Sequence, residues 1–156
     1  MEEVTVVDVP GQLVAGMRKK GAYDEIGNMI PAVCAHLASE GIEMAGAPMF
    51  ICHEKSKEEV IEAQKNASAD VEVAVPVSSK GKKGDGIRFY RLPGGKMARI
   101  VHRGPYEECG PSYERIFSWA RDKGKKIIGP SREVYMNDPR EVGFENAVTE
   151  IHVPIE

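Results

Sequence analysis

The second half of this chain repeats the first, and that constrains its fold more than any other feature. With Gly21 set against Gly104, an ungapped offset of 83 positions also brings Pro10 onto Pro93, Gly11 onto Gly94, Ala15 onto Ala98, Tyr23 onto Tyr106, Glu25 onto Glu108, Gly27 onto Gly110, Gly41 onto Gly124 and Gly46 onto Gly129. Most of these are glycine or proline, whose backbone demands few other residues meet. Apolar positions coincide too: Val4 with Ile87, Val6 with Phe89, Val33 with Ile116, Ile51 with Val134. Further on the offset falls to 78, bringing Glu72 onto Glu150, Val75 onto Val153 and Pro76 onto Pro154. A match of this order points to two diverged copies of one supersecondary unit.

Each copy can be read locally. The first opens with a strand over 4–9, the turn dipeptide Pro10-Gly11 and a strand over 13–19; the second repeats this with 87–92, Pro93-Gly94-Gly95 and 97–103. A helix follows in each, with apolar stripes Ile26, Ile30, Val33, Leu37 and Cys109, Tyr113, Ile116, Phe117, Ala120 at helical spacing. Gly41 and Gly124 suit left-handed caps at their ends. Strands over 48–53 and 132–137 come next, and strands over 71–77 and 148–155 close the copies. The five extra residues of the first copy fall in 55–69, where Ser56-Lys57-Glu58-Glu59 reads as a capping box opening a short helix. The expected fold is α+β: tandem pseudo-two-fold β-α-β-β repeats (1–77 and 87–156) forming an antiparallel sheet with two main helices on one face. Residues 78–86, glycine-rich and basic, read as a linker or mobile hairpin within a single domain over 1–156.

Composition then excludes several function classes. With 42% hydrophobic and 29% charged residues the chain is globular in type. A net charge of −3 offers no broad basic field for phosphates, so no direct nucleic-acid contact is expected. The start, Met1-Glu2-Glu3, has neither the basic nor the apolar part of a secretory signal, and no run is long enough for a bilayer. Cys34, Cys52 and Cys109 are odd in number and form no C-x-x-C pair, as suits reduced thiols in the cytoplasm. His53, His102 and His152 lack metal-ligand spacing, and no cofactor or metal is expected.

The closing strands carry the most chemistry. Thr149, Ile151, Val153 and Ile155 share one face, as do Val71, Val73, Val75 and Val77 in the first copy; Glu150 and His152, like Glu72, point the other way. These glutamates read either as solvated strand residues or as one carboxylate in a partly closed groove. Aromatics concentrate in the second half. Trp119 flanks the helix stripe, where it is expected to face its counterpart His36, and Tyr90, Tyr106, Tyr113 and Tyr135 add rings with polar tips. Aromatic walls around a carboxylate favour lipophilic cations, each cation–π contact adding about 0.5–2 kcal/mol.

His102-Arg103-Gly104-Pro105-Tyr106-Glu107-Glu108, the helix with Trp119, Gly129-Pro130 and the ending Thr149-Glu150-Ile151-His152-Val153-Pro154-Ile155 together resemble the GyrI-like small-molecule-binding domains. These include the effector-binding parts of AraC-type and MerR-type multidrug regulators. The resemblance implies paired β-α-β-β units and, by motif position, a ligand-binding Glu150 with surrounding aromatics. The leading expectation is therefore a standalone cytoplasmic protein that binds hydrophobic, cationic or aromatic small molecules in a groove between the repeats. One alternative is a hydrolase of electrophilic, cyclopropane-type xenobiotics, in which Glu150 activates water and Tyr113 or Tyr106 polarises the leaving oxygen. Another is a protein-interaction module, such as a gyrase inhibitor, a regulator's partner or a homodimer.

Overall fold

The computed structural model describes residues 3–156. In chain order the elements are β1 (Thr5–Val9), β2 (Gln12–Gly21), α1 (Ile26–Ser39), β3 (Met49–Cys52), α2 (Lys57–Asn66), β4 (Ala69–Pro76), β5 (Arg88–Leu92), β6 (Gly95–Arg103), α3 (Gly110–Asp122), β7 (Ser131–Tyr135), α4 (Pro139–Val142) and β8 (Val148–Pro154). Each expected strand and helix is present. Ser56 caps α2 by accepting the Glu59 N–H at 3.1 Å, and the Glu59 carboxylate reaches back to the Lys55 N–H at 3.0 Å. Gly41 and Gly124 both sit at φ +66°, the left-handed conformation that ends a helix without steric cost.

The opening strands do not pair with their chain neighbours. β1 runs antiparallel to β6, Thr5 opposite Arg99 and Val9 opposite Gly95, while β5 runs antiparallel to β2, Leu92 opposite Gln12 and Arg88 opposite Gly16. The two Pro-Gly dipeptides thus carry the chain onward instead of closing hairpins. The reason lies in proline: tight two-residue hairpins need a positive φ at the first central residue, and proline is fixed near −65°.

Two compact units result, one of residues 11–93 and one of residues 3–10 with 94–156. They differ from the sequence repeat by one exchanged strand. In the 11–93 unit the strands lie in the order β3-β4-β2-β5, all neighbours antiparallel, with α1 packed on β4 and β2. In the other the order is β1-β6-β8-β7, again antiparallel, with α3 packed on β6 and β8. The fold class is α+β, as read. Met29, Val33 and Leu37 bury the stripe of α1. Ile116 and Ala120 bury that of α3, whereas Phe117, one residue round the helix from Ile116, stays 40% exposed.

A circular permutant starting at Gly11, with residues 156 and 1 joined by a flexible linker, makes each unit continuous. It is expected to unfold in urea within about 1–2 kcal/mol of the parent, since loop closure grows slowly with length. Collapse of the permutant would mean that the connection at Pro10-Gly11 itself stabilises the fold.

The stretch 78–86 is hydrogen-bonded to the end of α1 through Lys82. The Lys82 N–H donates to the Glu40 carboxylate at 3.0 Å, and His36 Nε2–H donates to the Lys82 carbonyl at 2.6 Å. A Cβ on Gly81 would lie 2.2 Å from Ile42 Cδ1, so glycine lets this strap lie close. Among the described residues, no helix is long and apolar enough to cross a membrane.

Candidate functional site

Strand alternation divides the residues of the 3–10/94–156 unit between two faces. The face under α3 holds Ile100 and Ile151, a cross-strand pair, which pack with Ile116 and Val153. Glu133 lies opposite Ile151 and Tyr135 opposite Thr149, while His102 is paired with Thr149 from the other side, so all three belong to this face. Arg99, Arg132, Glu150 and His152 alternate onto the other face.

The aromatic residues follow α3. Tyr113 and Trp119 both pack against the core cluster of Ile100, Ile116 and Ile151. Glu150 therefore does not share a face with the aromatic wall expected around it; the carboxylate on that side is Glu133.

Glu133 is enclosed by tyrosines. Tyr113 donates its hydroxyl to one carboxylate oxygen at 2.5 Å, and Tyr135 donates to the other at 3.3 Å. The Tyr106 ring lies 5.0 Å from that of Tyr135, tilted by 49°, and meets Phe144 edge-on at 6.4 Å. Phe144 is 56% exposed and forms an apolar rim. Burial pushes the Glu133 carboxyl above its ordinary range, against the two tyrosine hydrogen bonds, which favour ionisation. Burial likewise raises the phenols of Tyr135 and Tyr106 and pushes the Cys109 thiol up to about 12, so these stay neutral. Glu133 and Tyr135 nonetheless keep part of their surface accessible. A desolvated carboxylate with aromatic neighbours suits a cation that carries its own apolar surface. Among the described residues, no cluster of three or more ligating side chains could hold a metal ion.

The repeat itself contains the signal that would have exposed this site. At the positions equivalent to Glu133, Tyr135, Tyr113 and Ser112, the first copy has Phe50, Cys52, Ile30 and Met29. Phe50 is 3% exposed and Met29 1%. One copy fills the space with hydrocarbon; the other fills it with hydrogen-bonding groups, a cost that a folding core alone would not incur.

The other sequence-derived residues fall elsewhere. Glu150 accepts from His152 Nε2 at 2.9 Å and has the Arg99 guanidinium 3.9 Å away. Burial lowers the His152 pKa, only partly offset by Glu150. In the 11–93 unit Glu72 is 7% exposed, not solvated; Tyr90 donates to it at 2.5 Å and His53 bonds it at 2.6 Å. Gly16 and Tyr90 correspond to Arg99 and Val7 in the second copy. Each closing-strand glutamate thus has its own partner, a tyrosine reaching over a glycine in one copy and an arginine in the other. His36 is occupied by the Lys82 carbonyl and lies 6.3 Å from the Phe89 ring.

A family model described as the GyrI-like small molecule binding domain matches residues 2–156. No curated protein matches the chain by sequence. Among solved structures, the EcmrR C-terminal domain aligns with a TM-score of 0.88 at 21% identity, covering 100% of this chain and 98% of that one. In an EcmrR–DNA complex the TM-score is 0.87 at 21% identity; the alignment covers 99% of this chain, which spans 57% of that longer one. A hydrolase from Listeria innocua aligns with a TM-score of 0.72 at 13% identity, covering 99% of this chain and 92% of that one. The structure of SAV2435 bound to tetraphenylphosphonium gives 0.56 at 12% identity, covering 99% and 94%. At these identities the likenesses show a shared fold.

Proposed function

Because the chain belongs to the GyrI-like small molecule binding domain family, we propose that its ligand is a hydrophobic cation, held at the Glu133 carboxylate by Tyr106, Tyr113 and Tyr135. The observation that carries this reading is the placement of Glu133, a desolvated carboxylate among aromatic rings on the α3 side of the sheet, in a residue that keeps part of its surface accessible. Tetraphenylphosphonium, the ligand of the similarly folded SAV2435, has the required chemistry: one positive charge and four aromatic rings. Glu150 is already matched by Arg99 and His152, so it serves the sheet and not the ligand.

Thermal unfolding with tetraphenylphosphonium and other lipophilic cations tests this. A cation at about a hundred times its dissociation constant adds roughly 2.7 kcal/mol. The stabilisation is expected in the wild type and in Glu150→Gln alike. No stabilisation by any such cation would remove the reading.

A second reading rests on the same carboxylate. Its raised pKa and the Tyr113 hydroxyl at 2.5 Å make Glu133 a general base beside a proton donor, the equipment for hydrolysing a strained electrophile. Turnover of a cyclopropane-type alkylating agent that vanishes in Glu133→Gln would favour it; turnover unchanged in that variant would exclude it.

A further inference from the structure

His102 is a buried histidine that the ligand reading leaves unused. It is 7% exposed and sits on β6, one turn of chain before Tyr106. Its Nε2 lies 2.8 Å from the Pro105 carbonyl; a carbonyl only accepts, so Nε2 carries the proton. Nδ1 is then the acceptor for the Ser112 hydroxyl at 3.4 Å, from the first turn of α3. Between them Gly104 takes φ +118°, which side chains rarely adopt, and its N–H donates to the Ala147 carbonyl at 2.9 Å. The turn His102-Arg103-Gly104-Pro105 is thereby pinned at both ends, and the next residue is Tyr106, whose ring faces Tyr135 and Phe144.

The first copy holds its tyrosine differently. Tyr23 donates its hydroxyl to Glu54 at 2.7 Å. Lys19, Gly21, Ala22 and Met29 stand where His102, Gly104, Pro105 and Ser112 stand in the second copy, and Gly21 has no positive φ. One tyrosine is fixed by its far end, the other through the backbone that precedes it. Only the second arrangement keeps the ring's position independent of its hydroxyl.

We infer that His102 is a positioning residue of the cation site, setting Tyr106 against Tyr135 through its hydrogen bond to the Pro105 carbonyl. The inference rests on the ligand reading above. In His102→Ala the turn loses its clamp and Tyr106 its fixed place, and tetraphenylphosphonium affinity falls roughly 3- to 30-fold, the worth of one aromatic contact to a cation. His102→Gln, whose amide N–H can reach the same carbonyl, restores most of the affinity. In a Tyr106→Ala background the change at His102 adds little, because the ring it positions is gone.

A ligand-free measurement separates this inference from the ligand reading. Ring-proton NMR shifts of Tyr106, displaced by the neighbouring Tyr135 ring, move in His102→Ala and return in His102→Gln. If His102→Ala does not fold, His102→Asn, too short to reach the carbonyl, takes its place with the same expected result. Tyr106 shifts unmoved by loss of the clamp overturn the inference whether or not any cation binds. So do His102 and Tyr106 effects on affinity that simply add. Wild-type protein that ignores tetraphenylphosphonium while its Tyr106 shifts respond would instead sink the ligand reading alone.

Discussion

Glu133→Gln is expected to weaken tetraphenylphosphonium binding by about 30-fold or more and to make the ligand-free protein more stable. Removing one partner of a desolvated charge pair costs roughly 2 kcal/mol or more, while glutamine keeps the shape and can still meet the tyrosine hydroxyls. The stability change has the opposite sign because burial holds the Glu133 carboxyl above its ordinary value of 4.5. A group with a raised folded pKa binds more protons folded than unfolded. Its contribution is present below 4.5 and is lost as pH rises through the folded value. Above that window ionised Glu133 is a net cost, and the neutral amide removes it. The gain should be roughly 0.5–2 kcal/mol at neutral pH, the usual yield of relieving a functional site, and should fade near pH 4. Calorimetric titration measures the first effect and urea unfolding at two pH values the second. A variant that binds like the wild type would detach the ligand from Glu133.

Gly16→Ala should be the most damaging small change in the 11–93 unit. The added Cβ would lie 2.3 Å from the Tyr90 hydroxyl oxygen and 2.7 Å from the Val73 carbonyl oxygen. Tyr90 can swing away, but Val73 is backbone in the neighbouring strand β4 and has little room to give. Swinging away breaks the bond to Glu72, which is buried and keeps only His53. Overpacking and a half-satisfied buried carboxylate together cost roughly 2–4 kcal/mol. Adding Tyr90→Val should recover part of that, since the second copy builds the same corner from Arg99 and Val7 without a tyrosine. Urea unfolding of the two single variants and the double measures the coupling; a loss below about 0.5 kcal/mol in Gly16→Ala would show that the slot is not tight.

Much of this architecture is legible in the sequence because glycine and proline mark it. The matched positions from Pro10 to Gly46 locate both helices and their caps, and Ser56 to Glu59 locate α2. The strand exchange is harder, because Pro10-Gly11 says that the chain turns and says nothing of which distant strand β1 will meet. The proposed acidic site is hidden by a stronger motif. The ending from Thr149 to Ile155 draws attention to Glu150, yet its alternation already sets Glu150 opposite the core face, while the stripe of α3 sets Tyr113 on it. Taken together those two patterns exclude Glu150 from the aromatic wall and leave β7 to supply the carboxylate. Glu133 becomes visible only when the copies are compared position by position, as a charge where Phe50 is buried.

The central claim, that the ligand site lies on the α3 side around Glu133, is tested most directly by a crystal structure of the chain with tetraphenylphosphonium. The phosphonium is expected within about 6 Å of the rings of Tyr106, Tyr113 and Tyr135, the range of a cation–π contact, and beside the Glu133 carboxylate. A phosphonium lodged instead on the opposite face, against Glu150 and His152, would contradict it.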